Sequence, residues 1–161
     1  MKKQQGFTLI ELVIVIVILG ILAVTAAPKF LNLAGDAKAG TLNAVKASLQ
    51  SANAEIYSKA ILQNKQTGAD QTLVNPAVTI AHGYAKATTA NLALMLDVPD
   101  FTVRAAVTNT TLNIVAATDV LVQPSDSTAI TANSTIGCAL VYRQAANAGE
   151  KPTYTVINTG C

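Results

Sequence analysis

The sequence has no tryptophan, one histidine, two cysteines and very few charges. Trp is absent, and three Phe and four Tyr are scattered along 161 residues, so no stacking platform for nucleic-acid bases is expected. Eleven Lys and Arg stand against nine Asp and Glu, and Lys2 and Lys3 account for the excess. Downstream of them the charge is balanced, which leaves neither a basic surface for nucleic acid nor an acidic tail. His82, alone between Ala81 and Gly83, has no Ser or Cys motif beside it and reads as a structural or surface residue rather than a base. Phosphate loop, dinucleotide fingerprint and paired Cys/His metal spacing are all missing. Asp97 and Asp100 flank Pro99 without the oxygen-rich loop that calcium requires. No catalytic residue, metal ligand or cofactor is expected. Hydrophobic residues reach 51% against 12% charged, too apolar for a disordered chain.

What is present concentrates at the N-terminus. Met1 to Gly6 is short, polar and basic, and from Phe7 to Ala27 the only charge is Glu11. As a helix that run spans about 32 Å, the thickness of a bilayer's hydrocarbon core. Lysines before it predict a cytoplasmic N-terminus and export of the rest. A secretory signal with a site near Ala23, Ala26 and Ala27 would have a shorter apolar run, uninterrupted by Glu11. A plain anchor fits the length but gives Glu11 no role, although a carboxylate in lipid costs about 2.5–3.5 kcal/mol at mid-helix and less near an end.

The segment Lys2-Lys3-Gln4-Gln5-Gly6-Phe7-Thr8-Leu9-Ile10-Glu11 accounts for all of these features, because it resembles the class III signal of type IV pilins and their relatives. The resemblance continues through the apolar run into Ala26-Ala27-Pro28-Lys29-Phe30-Leu31-Asn32-Leu33. That stretch is most similar to the type IVa major pilins of mannose-sensitive haemagglutinin (MSHA) pili. It is close over the N-terminal third and loose beyond about residue 60. It implies a membrane-embedded prepilin peptidase that cuts after Gly6 and methylates the new N-terminus, Phe7. It also implies that Glu11 pairs with a neighbour's N-terminal amine and so fixes axial register in a helical homo-oligomer. Glycine lets a protease approach the backbone, and a carboxylate in the first turn suits the helix dipole. A buried carboxylate needs a cationic partner.

Pro28 removes one helical hydrogen bond and crowds the carbonyl of Val24, so a kink is expected there, with Gly20 a second weak point. In related filaments the segment between two such positions unwinds on assembly; the simpler reading is a static kink. Beyond it, Phe30, Leu33, Ala37, Val45, Leu49, Ala52, Ile56 and Ala60 fall at helical spacing and predict a face packed on a head. Gly35 and Gly40 weaken that helix but permit close contacts. The polar stretch broken at Gly68 ends it, and residues 72–100 read as an irregular connector with a short helix capped by Thr88 or Thr89. Phe101 to Val107, continuing in period two through Leu112, Ile114 and Ala116, then Asp119 to Gln123, Ile136 to Arg143 and Thr153 to Asn158, are strand candidates. Turns are expected at Pro124-Ser125-Asp126 and Asn147-Ala148-Gly149.

The expected fold is α+β, a long kinked N-terminal helix on a small antiparallel head. Its expected parts are a leader at 1–6, a membrane or filament-core helix at 7–27, an amphipathic helix at 28–62 and a head at 63–161. Cys138 and Cys161 are either two thiols or a disulfide, and compartment decides between them. Export into an oxidising compartment selects the disulfide, worth roughly 3 kcal/mol in loop entropy, and the resemblance gives the bounded loop a role in contacts.

Taken together, the resemblance implies the major subunit of an MSHA-like pilus serving surface attachment and biofilm formation. It would be an inner-membrane precursor, then an extracellular filament. The implied partners are its own copies, the prepilin peptidase and the pilus assembly machinery, with no nucleic acid. Between residues 105 and 149 only Asp119, Asp126 and Arg143 are charged, a surface suited to glycans or abiotic material. Asn109-Thr110-Thr111 and Asn133-Ser134-Thr135 match the glycan-acceptor pattern, and both read as chance matches in a Thr-rich surface. The alternatives are a minor pilin, a type II secretion pseudopilin, or a tethered enzyme or binding module; the last lacks catalytic groups.

Overall fold

The computed structural model describes residues 7–114 and 118–161, and for residues 28–32 the backbone alone. The expected leader with Gly6, and Ala116, lie outside the described residues. Helix α1 runs unbroken over Leu9–Leu62, 54 residues or about 81 Å. It is helical through both Gly20 and Pro28, so neither residue ends it. The head follows: β1 (Gln71–Thr72), β2 (Thr79–Ala81), β3 (Tyr84–Ala85), α2 (Thr89–Met95), β4 (Phe101–Ala105), β5 (Val120–Pro124), β6 (Ala139–Arg143) and β7 (Thr153–Ile157). The α+β arrangement is as expected and is consistent with the type IV pilin fold. Two antiparallel sheets form, β1-β2-β3 and the meander β4-β5-β6-β7.

The four-stranded sheet is buried on both faces. On one face Leu42, Val45 and Leu49 of α1 pack with Leu92, Leu96, Val120, Val122, Leu140 and Tyr142. On the other, Leu121, Ala139, Val141 and Ile157 meet Ala106, Leu112, Ile114 and Ile130. Every residue of β5 is therefore buried, and the strand reads as a continuous run rather than an alternation. The expected strand through Leu112 and Ile114 is not formed. These residues cover the sheet from a turn closed by an Asn109–Ile114 bridge, with Asn113 at φ 58°.

The connector at 72–100 holds the expected short helix α2 but also β2 and β3, which were not expected, and these two strands are joined by a two-residue turn with φ 53° at His82 and 87° at Gly83. Positive φ at both positions suits a tight hairpin, and a Cβ at Gly83 would lie 2.8 Å from the Tyr57 ring. His82 is thus a turn residue; its backbone N–H donates to the Gly68 carbonyl at 2.7 Å. Thr88 caps α2, its hydroxyl accepting from Asn91 N–H at 3.2 Å.

The buried face of α1 begins later than its sequence pattern suggests. It consists of Leu42, Val45, Leu49, Asn53, Ile56 and Ala60, at three- and four-residue steps. Leu33 is 62% exposed and Ala37 is exposed as well, which corrects the expected stripe. The cause is geometric: the buried core that the head offers α1 begins at Leu42, and ahead of it the head reaches the helix only through contacts such as the Lys38–Asp126 ion pair at 2.7 Å.

Candidate functional site: the exposed helix and the chain end beside it

The part of α1 that the head cannot cover is its most apolar part. Leu9–Ala27 has a mean hydropathy of 3.0, and none of its 19 residues is buried in this chain. Ile10, Ile14, Leu19 and Val24 all stand at least half exposed. Burying one such side chain is worth about 1.5–3 kcal/mol, so lipid or other protein must cover this segment.

Phe7 precedes the helix and is 91% exposed. Thr8 is the N-cap. Its backbone N–H donates to Glu11 Oε2 at 2.8 Å and its hydroxyl donates to the same oxygen at 2.8 Å. The Glu11 N–H in turn donates to Thr8 Oγ1 at 3.4 Å. This reciprocal capping box satisfies donors that the first turn would otherwise leave open. The Thr-x-x-Glu spacing is its signal in the sequence. Chemically the arrangement fixes a carboxylate at the positive end of the helix dipole, one turn from the exposed Phe7.

Cys138 and Cys161 form a disulfide with Cα atoms 4.7 Å apart, as expected. Cys138 is buried at the start of β6, and the Gly160 N–H donates to the Gly137 carbonyl at 2.9 Å, so the bond sits in a short ladder. This ladder carries Cys161 onto α1. A Cβ at Gly35 would lie 3.3 Å from the Cys161 carbonyl carbon, whereas one at Gly40 would meet nothing within 4 Å. Of the two glycines only Gly35 serves a close contact.

Two polar clusters were not legible beforehand, one joining the head to α1 and one within the head's four-stranded sheet. Asn53, 1% exposed, donates from Nδ2 to the Tyr154 hydroxyl at 2.9 Å and accepts from Ala85 N–H at 3.0 Å. The Tyr142 hydroxyl donates to the Ala85 carbonyl at 2.6 Å, and burial pushes this phenol well above its usual range. Burial likewise pushes Tyr154 up to about 12. Arg143 grips Asp119 with two parallel bonds, Nε to Oδ1 at 2.9 Å and Nη2 to Oδ2 at 2.8 Å, and the pairing raises the arginine further.

Among the described residues no three His, Cys, Asp or Glu side chains converge on a metal-sized site. Asp97 and Asp100 are both exposed. Asn109 is buried and donates to the carbonyls of Thr131 at 2.7 Å and Ser134 at 2.9 Å, so it is not an accessible glycan acceptor. Asn133 is exposed.

The arrangement is that of an apolar surface helix bearing one fixed carboxylate and a disulfide-pinned head. Residues 1–27 match the family of the prokaryotic N-terminal methylation motif. A curated relative, the type IV narrow pilus major component PilA5 of Thermus thermophilus, is 43% identical over 75 residues, 46% of this chain. The match spans 61% of that relative's length. No solved structure matches the chain.

Proposed function

We propose that this chain is the major structural subunit of a type IV pilus. The precursor sits in the inner membrane through Leu9–Ala27 and is cut between Gly6 and Phe7 by a prepilin peptidase. Phe7 is then N-methylated, and the pilus assembly machinery packs the subunits into an extracellular helical filament. The reading rests above all on one observation, a 19-residue apolar helix with none of its residues buried in its own chain. The methylation motif and the pilus-component relative support it. Lipid and neighbouring subunits cover that helix in turn, and Glu11 distinguishes the two, because an amine partner is available only in the bundle. The Gly20 to Pro28 segment is where the helix would unwind to fit the filament. The subunit is structural rather than catalytic and takes no cofactor. An MSHA-like role in surface attachment and biofilm formation goes with the hydroxyl-rich segment 105–149, in which only Asp119, Asp126 and Arg143 are charged.

Shearing the cells, imaging the released filaments and sequencing the subunit tests this reading. The expected N-terminus is N-methylated Phe7. A subunit that starts at Met1, or downstream of Ala27, would refute it.

A further inference from the structure

All four tyrosines of the chain lie in one cluster where α1, β3, β6 and β7 meet. Tyr57 and Tyr84 stack with centroids 4.7 Å apart and planes 14° from parallel. Tyr142 and Tyr154 lie 5.4 Å apart, and the Tyr154 hydroxyl is fixed by Asn53 at 2.9 Å. Beside them opens a cleft of about 300 Å³ lined by Gln50, Ala54, Tyr84, Lys151, Pro152 and Tyr154. Its volume is at the low end of small-ligand clefts, enough for a ring-sized occupant.

The geometry points to this cleft as a binding site for a pyranose ring bearing a carboxylate, a uronate unit of an acidic polysaccharide. Tyr84, backed by Tyr57, and Tyr154, held through its hydroxyl, are pre-positioned walls that lose little freedom on binding. The negative faces of aromatic rings attract the C–H face of a sugar. Gln50 and Lys151 are exposed at the rim, and among the described residues neither makes a hydrogen bond or ion pair. The Gln50 amide can serve ring hydroxyls, and the Lys151 ammonium selects an acidic sugar over a neutral one. The neighbouring acid, Glu150, makes no ion pair with Lys151 here; its Oε1 accepts from Asn147 Nδ2 at 3.2 Å. Lys151, Pro152 and Tyr154 come from the segment that the Cys138–Cys161 disulfide bounds, and the site rests on and deepens the adhesive part of the proposed function.

With no tryptophan in the chain, tyrosine fluorescence reads this cluster directly. The full chain in detergent micelles is titrated with trigalacturonate and, separately, with maltotriose. A saturable change with trigalacturonate is expected. Lys151→Gln should weaken it about fivefold, the loss of one exposed charge pair, and Tyr84→Leu by at least about tenfold. Gln50→Ala, at an exposed helix position, gives a second variant free of folding effects and should also weaken binding. No saturable change, equal binding of maltotriose, or unaltered titrations in Lys151→Gln and Gln50→Ala would overturn the assignment. This titration needs no filament, so its failure leaves the pilus-subunit reading standing, and failure of that reading leaves the titration unaffected.

Discussion

Cys161 rests directly on Gly35: a side-chain carbon at the glycine would sit 3.3 Å from the carbonyl carbon of the cysteine. This contact ties the end of the disulfide ladder to α1 before the buried stripe begins at Leu42. The same helix carries Gly40, whose missing side chain faces open space. The pair makes an internal control. Gly40→Ala should stabilise the chain by up to about 1 kcal/mol through helix propensity alone. Gly35→Val should destabilise it by about 1–3 kcal/mol, because the added methyls meet backbone that the disulfide holds in place. Thermal unfolding of both variants in the same micelles checks this, and equal effects at the two sites would deny the contact its role.

The disulfide itself should be worth roughly 3 kcal/mol on the loop-entropy account, for a separation of 23 residues. Non-reducing mass spectrometry of the native subunit should find it two hydrogens lighter than the reduced form. The double variant Cys138→Ala/Cys161→Ala should unfold earlier by about that free energy. Free thiols in protein taken from sheared filaments would contradict the bond.

How much of this was legible in the sequence depends on how local the determining interaction is. The apolar run from Phe7 to Ala27 and the Thr88 cap could be read because each is decided within a few residues. Leu33 misled because helical spacing says which residues share a face, not how far along the helix a partner extends. Asn53 went unnoticed because a polar residue on a core stripe makes sense only once Tyr154 and the Ala85 backbone are beside it, more than thirty residues away in each case. The Asp119–Arg143 pair is of the same kind, set by strand pairing in the meander. Of the candidate site, Glu11 was singled out, but its bonds to Thr8 were missed although the capping spacing lies in plain view.

Alkaline pH should unfold the head through its phenols. Burial raises Tyr142 and brings Tyr154 to about 12, against an ordinary value of 10.0. A group whose folded value is raised adds stability that is fully present below the unfolded value and lost as pH rises towards the folded one. The urea midpoint should therefore be insensitive to these groups below about pH 10 and fall between about 10 and 12. Tyrosinate absorbance should rise together with the loss of structure. Tyr154→Phe should shallow the fall, and an unchanged pH profile in that variant would remove Tyr154 from the explanation.

On the proposed function, Glu11 is the residue on which transfer from lipid to filament would turn. In the free chain its carboxylate is already satisfied by the Thr8 N–H and hydroxyl, both at 2.8 Å, so membrane insertion does not depend on an intermolecular partner. On the proposed function filament register would, because in a bundle of apolar helices a carboxylate gains most from a cation at one axial position. Glu11→Val should leave membrane localisation and head stability unchanged while sharply reducing sheared filaments. Glu11→Gln, which keeps a capping acceptor but loses the charge, separates the two roles. Helix capping should survive in it, and assembly should fail almost as badly as in the valine variant. Normal filaments from Glu11→Gln would show that capping, not charge pairing, is what assembly requires.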